Sequence, residues 1–323
     1  MLRFGLIGLG HFGKHYARLL QELPNVYLIA VANDTMEVFR THKDLLHPDI
    51  LQTTNPAEVL SSPQVDCVVI ATPASTHFAL VVAALRAGKH VLVEKPLTTN
   101  VAEANTIRIL AREKRRVCLV GFQYVYNNFV RALARLLPEL GTIKYCFGEH
   151  QSPGPIRSDA GSFIDAGVHD LSLIYFLFNP GMARKVSGSS FGVNEDFSSV
   201  AIKFSSGLRA HIFTTWYAPE KTKKFTVVGE LGIAEINDRQ ENDKLRVWRC
   251  RYPAFTATTF PSSIYFNLPE PEIPTVTANE PLRNELEHFI NCVHTNTQPT
   301  TNADFGYQLT LASLSIYKQI QRM

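Results

Sequence analysis

The sequence predicts an α/β protein in two parts: a doubly wound parallel sheet, then an α/β region built on a mostly antiparallel open sheet. Three observations carry this. The 323 residues exceed what one hydrophobic core usually organises, so two domains are expected. Up to about residue 120, short β-branched runs alternate with amphipathic helical segments, the pattern of a parallel sheet wrapped by helices. Beyond Pro180, runs of alternating polarity separated by turn signals take over, as in half-buried antiparallel strands. We place the boundary at Gly121, giving domains 1–121 and 122–323, and leave open whether the C-terminal helices pack back on the first domain.

Leu2 to Ile7 is the first strand-like run, followed by Gly8-Leu9-Gly10-His11-Phe12-Gly13 and by helical spacing over Lys14 to Leu20. Val26 to Ala32 is the next strand, and Val65 to Ala71, His90 to Val93 and Val117 to Val120 follow, making five or six in all. Thr76 to Ala87 and Val101 to Lys114 are the intervening helices. Each later strand ends in a small or polar element: Thr72-Pro73, Glu94-Lys95-Pro96 and Gly121-Phe122-Gln123. Ligands of open parallel sheets lie outside the carboxyl ends of the strands, so these three ends are expected to line one crevice.

In the second part, Tyr126 to Leu140 is expected as one helix, then a Pro/Gly loop over Ser152 to Gly161, then an apolar helix over Ile164 to Phe178. Six strands follow: Lys185 to Val193, Ser198 to Phe204, Leu208 to Tyr217, Lys224 to Val228, Ile233 to Asn237 and Leu245 to Trp248. Tyr252 to Asn279 is rich in Pro, Thr and Ser and is expected as an extended arm or lid. Helices over Glu280 to His294 and Ala303 to Arg322 close the chain.

Composition excludes several classes. A net charge of +3, with both signs scattered, gives no basic face for nucleic acid, and the Arg112 to Arg116 cluster falls at a helix end, where cations complement the dipole. No apolar stretch reaches the roughly 18 residues of a membrane span, and no signal sequence is expected. Five cysteines without C-x-x-C spacing read as reduced thiols of a cytoplasmic protein. No His/Cys/Glu set has metal-ligand spacing, so no metal is expected.

The glycine-rich turn between a strand and a helix is the strongest local signal. Its first glycine permits the tight turn, its second lets backbone approach a pyrophosphate, and its third lets helix pack on strand. The first domain is therefore expected to be a Rossmann domain that holds a dinucleotide. At the end of the second strand, where an acid usually grips the ribose 2′-OH, the chain reads Asn33-Asp34. Asp34 would repel a 2′-phosphate and no Arg follows it, so NAD is favoured, with NADP as the alternative.

Glu94-Lys95-Pro96-Leu97 and Asp165-Ala166-Gly167-Val168-His169-Asp170, in this order after the glycine turn, resemble the glucose-fructose oxidoreductase, inositol dehydrogenase and rhizopine catabolism family, Gfo/Idh/MocA. Ala71-Thr72-Pro73 with His77, Val120-Gly121-Phe122-Gln123 and the closing Asn284 to Ile290 helix extend the resemblance along the whole chain. It implies an NAD(P)-dependent dehydrogenase acting on CH–OH groups. It places catalytic residues at Lys95, Asp165 and His169, and cofactor contacts at Gly8, Gly10, His11, Phe12, Gly13, Asn33, Asp34, Thr72, Pro73, His77, Glu94, Lys95 and Gln123. Residues four apart share a helix face, so Asp165 and His169 can address one site. His169 is assigned as general base, Lys95 as hydrogen-bond donor to the reacting oxygen, and Asp165 as the group that orients a hydroxyl or the imidazole. Asp170 is assigned a structural role.

Two further stretches, Ser152 to Arg157 and Thr215 to Lys221, are similar to stretches in UDP-N-acetylglucosamine 3-dehydrogenases. This implies a nucleotide-linked sugar oxidised at C3, bound by Lys95, Asp165 and His169, with Arg157, Lys221, Lys223 and Lys224 as candidate diphosphate cations. Ser172 and Val125 depart from the family pattern, where Asp and Arg are frequent. An inositol or free-sugar dehydrogenase is the first alternative. A non-catalytic dinucleotide sensor is the second, and it has no need of Lys95, Asp165 and His169 together. The open sheet is expected to be covered by self-association, as a homodimer or homotetramer.

Overall fold

A computed structural model describes residues 1–158, 160–252 and 268–321. The chain divides into two compact units: Met1–Gln123 with Glu280–Leu311, and Tyr124–Asn279 with the residues from Ala312 on.

Unit 1 contains β1 (Leu2–Ile7), α1 (Gly13–Glu22), β2 (Val26–Ala32), α2 (Glu37–Thr41), β3 (Leu51–Thr53), α3 (Pro56–Ser61), β4 (Cys67–Ile70), α4 (Ala74–Arg86), β5 (His90–Glu94), α5 (Val101–Lys114) and β6 (Cys118–Gly121). The six strands pair in parallel in the order β3-β2-β1-β4-β5-β6, and the order reverses beside β1. Strands β4 to β6 are buried except for His90 at the start of β5, as a sheet covered on both faces requires. Helix α5 shows why these helices start and stop where they do. Asn100 caps its N-terminus by accepting from the Ala102 and Glu103 N–H groups, and Arg115 closes it in the left-handed region, with Arg112 and Lys114 in the last turn.

The short elements α2, β3 and α3 carry too few apolar residues for a periodic signal, and the sequence reading passes over them. Two C-terminal helices complete the secondary structure, α8 (Pro281–Thr295) and α9 (Ala303–Ile320). Phe289 of α8 is fully buried and meets Phe4 of β1 edge-on at 6.1 Å. Burying one such ring contributes about 2 to 3 kcal/mol. Thr301 binds both backbone groups of Val120, accepting its N–H at 2.8 Å and donating to its carbonyl at 2.7 Å. The C-terminal helices, whose return to the first domain the sequence leaves open, supply α8 and the start of α9 to unit 1.

Unit 2 is a seven-stranded sheet in the order β13-β12-β11-β7-β10-β9-β8. Its strands are β7 (Ile143–Pro153), β8 (Ala183–Phe191), β9 (Phe197–Phe204), β10 (Arg209–Thr215), β11 (Tyr217–Gly229), β12 (Ile233–Asn237) and β13 (Leu245–Trp248), with helices α6 (Asn128–Leu136) and α7 (Val168–Phe178). Six strands lie close to the sequence reading; Tyr217 opens β11 rather than ending β10. The seventh, β7, was not read from the sequence although it is central. Its alternation is broken by Gly148 and by the polar run Glu149 to Ser152, so it lacks the profile of a buried strand.

Strand β7 pairs parallel with β10 and antiparallel with β11, and every other pair in this sheet is antiparallel. The expected single helix over Tyr126 to Leu140 is instead a 3₁₀ turn, α6 and a second 3₁₀ turn, broken where Asn127 caps α6 and where Pro138 enters. Residues 253–267 of the expected arm lie outside the described residues. All five cysteines are free thiols, four of them buried.

Candidate active site

The glycine turn of unit 1 meets a specific steric test at each position. Gly8 sits at φ +97°, and a Cβ there would stand 2.5 Å from the Ala71 carbonyl oxygen. A Cβ on Gly13 would stand 2.0 Å from the Gly8 carbonyl oxygen, so α1 packs on β1 at a distance only glycine allows. A Cβ on Gly10 would meet nothing within 4 Å: this glycine keeps open space, the approach a pyrophosphate needs. Beside it lies a cavity of about 740 Å³ at the carboxyl ends of β1, β2 and β4, lined by Gly8, Gly10, Asn33, Asp34, Thr72 and Pro73, among others. The lining fits NAD.

Asn33 is a brace. Its Oδ1 accepts the Leu9 N–H at 2.9 Å and its Nδ2 donates to Asp34 at 2.6 Å, so the end of β2 is tied to the glycine turn and the exposed Asp34 carboxylate is held at the cavity. Asp34, the acid displaced by one position, lies on the cavity wall at the end of β2.

Other residues expected at the cofactor have different surroundings. His77 of α4 is 1% exposed, its two ring nitrogens facing the Thr72 and Pro96 carbonyl oxygens at 2.9 and 2.8 Å. It joins the end of β4 to the segment after β5. Burial pulls its pKa down against those two hydrogen bonds. Glu94 is buried and its carboxylate turns inward to Tyr16, while Lys95, the next residue, is half-buried. His11, Phe12 and Gln123 are not on the cavity wall either. His11 and Phe12 pack edge-on at the start of α1, and Gln123 begins the 3₁₀ turn after β6.

Unit 2 holds the other motif. Asp165 lies in a π-helical turn, Phe163–Gly167, which runs directly into α7 with His169 in its first turn. Such turns recur at functional sites because they bulge side chains out of a regular ladder. Arg157 reaches Asp165 at 3.3 Å, so two of the expected substrate residues are brought together. Lys221 lies on the exposed excursion Ala218 to Lys221, four residues that loop out of β11 between its pairs with Pro153 and Gln151. Lys223 has another role. Its ammonium sits 2.9 Å from the centre of the Tyr124 ring and 2.8 Å from Asp238.

His169 is flanked by side chains that sequence reading missed. The Tyr124 ring meets His169 edge-on at 4.5 Å and lies over His150 at 6.0 Å with an interplanar angle of 27°. His150 of β7 bonds through Nδ1 to Asp170 at 2.9 Å, and the Asp170 side chain is 2% exposed. Asp170 thus has the structural partner its assigned role called for. Gly148 makes room for that carboxylate: a Cβ there would stand 2.5 Å from Asp170 Cγ. Strand register explains the grouping, since His150 pairs with Lys223 of β11 on one side and Thr214 of β10 on the other. Burial pushes the Asp238 carboxyl up, but the Lys223 and Lys244 charges and the hydrogen bonds from Lys223 and Asn127 outweigh it, so it titrates below the usual range. Only Asp170 was quoted from the sequence; Tyr124, His150 and Gly148 are neighbours through β7, which carried no signal of its own.

An imidazole, a carboxylate four residues before it and a guanidinium on that carboxylate can bind a polyol and take a hydroxyl proton. Among the described residues no group of three or more His, Cys, Asp or Glu side chains could hold a metal ion, and no helix is long and apolar enough to cross a membrane.

Known dehydrogenases are similar to this chain along most of its length. The chain is 30% identical to inositol 2-dehydrogenase of Acidiphilium cryptum over 73% of this chain and 74% of that one. It is 24% identical to UDP-N-acetylglucosamine 3-dehydrogenase of Acidithiobacillus ferrooxidans over 98% and 96% of the two chains. The crystal structure of GenD2 from gentamicin A biosynthesis, in complex with NAD, superposes with a TM-score of 0.80 at 25% identity, covering 99% of this chain and 94% of that one. Residues 2–122 match the oxidoreductase family with an NAD-binding Rossmann fold and residues 138–235 match the GFO/IDH/MocA C-terminal domain, so the chain belongs to the Gfo/Idh/MocA oxidoreductases and is an NAD(P)-dependent dehydrogenase.

Proposed function

We propose that this dehydrogenase oxidises a secondary hydroxyl, C3 of a nucleotide-linked N-acetylhexosamine such as a UDP-sugar, and passes the hydride to NAD. NAD, when bound, supplies the hydride acceptor. His169 takes the hydroxyl proton, Lys95 hydrogen-bonds the oxygen as negative charge develops on it, and Asp165 orients a neighbouring hydroxyl. The observation that carries the nucleotide-linked substrate is Arg157 on Asp165 at 3.3 Å, a guanidinium at the polyol-binding carboxylate that a free sugar does not require. The stretches around Arg157 and Lys221, similar to those of UDP-N-acetylglucosamine 3-dehydrogenases, support it.

A panel of UDP-sugars, free hexosamines and inositols, read as NADH absorbance, tests the proposal. Lys221→Ala is expected to raise KM for the UDP-sugar about fivefold, roughly one exposed charged contact, and to leave free sugars unaffected. Equal turnover of free and nucleotide-linked sugars would overturn it. The second reading, an inositol dehydrogenase, is favoured by the 30% identity to the Acidiphilium cryptum enzyme, and preferential turnover of inositols would establish it. Self-association as a dimer or tetramer is part of the proposal, supported by Phe191 and Tyr145, 56% and 38% exposed on the sheet of unit 2. Sedimentation equilibrium tests it; a monomer at micromolar concentration would refute it.

A further inference from the structure

Three acidic groups meet inside unit 1, behind the strand end that carries Lys95. Tyr16 of α1 and Glu285 of α8 are fully buried, and Glu94 of β5 is 8% exposed. The Tyr16 hydroxyl stands 2.8 Å from Glu94 Oε1 and 3.0 Å from Glu285 Oε1. A phenol has one proton and can donate to one carboxylate only. Both contacts are hydrogen bonds only when one carboxyl is protonated and donates to the phenolic oxygen.

The surroundings decide which one. Glu94 Oε2 accepts the Lys95 N–H at 3.2 Å, and although burial pushes the Glu94 pKa up, the Tyr16 hydrogen bond and the Lys95 charge oppose the rise. Glu285 shares the Tyr16 hydrogen bond but has neither the backbone N–H nor the Lys95 charge to oppose its rise. Its Oε2 is buried with no hydrogen-bond partner among the described residues, and burial followed by the Glu94 charge pushes its pKa far above the usual range. The arginines of the flanking helices face elsewhere: Arg18 pairs with Glu22 and Glu280, and Arg283 with Glu22, Glu280 and Glu287. Two ionised carboxylates on one buried phenol, with Lys95 as the cation beside Glu94, would repel strongly in a low-dielectric interior.

We propose that Glu285 is a positioning residue that keeps its proton at neutral pH, donates it in a hydrogen bond to Tyr16, aims the Tyr16 hydroxyl at Glu94, and so fixes the backbone from which the Lys95 side chain departs. The positioning role rests on the function proposed above for Lys95. The proton itself does not, and the two can be tested separately.

Infrared spectroscopy of the folded protein at neutral pH is expected to show a protonated-carboxyl C=O band that shifts in D₂O, vanishes in Glu285→Gln and persists in Glu94→Gln. Because Glu285 holds its proton when folded and loses it when unfolded above about pH 4.3, wild-type stability falls relative to Glu285→Gln as pH rises from about 4.3 to neutrality. Glu285→Gln still donates to Tyr16 and is expected to keep kcat within about twofold, whereas Glu285→Ala, which cannot donate, loses roughly ten- to hundredfold in kcat with KM for NAD unchanged. Absence of the band, or its survival in Glu285→Gln, overturns the protonation. A Glu285→Ala variant with wild-type kcat, or a Glu285→Gln variant as impaired as Glu285→Ala, overturns the positioning. If no sugar is turned over at all, the function proposed above fails, while the infrared and stability measurements still decide the proton.

Discussion

The two units build their sites from different materials. In unit 1 the wall of the candidate cofactor cavity is largely backbone and small side chains, Gly8, Gly10, Thr72 and Pro73 among them, placed by the carboxyl ends of adjacent parallel strands. In unit 2 the expected site residues Asp165 of the π turn and His169 of α7 stand among large polar side chains drawn from separate elements, Tyr124 and, from β7, His150 beside His169, and Arg157 on Asp165. The first kind of site comes with the topology and serves any molecule carrying the same dinucleotide. The second kind depends on non-local pairs, and that is where substrate choice can be written without disturbing the cofactor.

The sharpest way to break this comparison is to remove one group from each unit and ask what is lost. His169→Ala is expected to lower kcat about 10² to 10⁴-fold, the usual range for a general base, while NAD binding measured by calorimetry stays unchanged. Lys95→Ala lowers kcat comparably and is expected to spare NAD binding too. A His169→Ala variant that no longer binds NAD would show that the sites are not separable in this way.

The glycines sharpen the unit 1 half. Gly13→Ala forces a Cβ to 2.0 Å from the Gly8 carbonyl oxygen, a backbone atom that cannot swing aside, so destabilisation of about 3 kcal/mol is expected in urea unfolding. Gly10→Ala meets nothing in the protein and is expected to change stability by less than about 0.5 kcal/mol. It should nevertheless weaken NAD at least tenfold, about 1.4 kcal/mol, because the methyl occupies space reserved for the pyrophosphate. If Gly10→Ala binds NAD normally, the cavity beside it is not the cofactor site.

These differences track what could be read from the sequence. The parallel sheet and its glycine turn were legible because their rules are local: a strand, three spaced glycines and a helix lie within about twenty residues. Asp165 and His169 were legible as a spaced pair, though not the π turn that carries Asp165, since a single residue inserted into one turn leaves no trace in polarity. His150 was illegible because β7 alternates poorly, with Gly148 where a packed side chain would have announced a strand, and Tyr124, in the 3₁₀ turn after β6, because it meets His150 and His169 only across non-local contacts. That glycine is itself explained by Asp170, a contact across 22 positions that no periodicity reveals. Glu285 was quoted as part of a closing helix, but nothing in the helix shows that its carboxyl meets Tyr16, 269 positions earlier.

The Asp170 contact makes a smaller but cleaner test of unit 2. Asp170→Asn weakens a buried charge-assisted bond to His150 and is expected to cost about 2 kcal/mol of stability. Gly148→Ala should cost about as much in the wild type and clearly less in an Asp170→Ala background, where the methyl has room, so a double-mutant cycle gives a coupling of about 1 kcal/mol or more. Additive effects would mean that Gly148 is glycine for another reason.

The smallest effect concerns acid stability in unit 1. Burial and the nearby Arg116 charge pull the His90 pKa down to about 4. The geometry agrees, because His90 Nδ1 accepts the Val117 N–H at 3.0 Å and so must be unprotonated. In the unfolded chain this imidazole titrates near 6.5. Between about pH 6.5 and 4 the unfolded state therefore binds more protons than the folded state, and stability is lost as pH falls through that window. His90 is only partly buried, so solvent screening keeps the contribution modest. His90→Gln retains an acceptor without the titration, and its urea midpoint is expected to fall less than that of the wild type between pH 7 and pH 5. Parallel losses in the two proteins would assign the acid sensitivity to other groups.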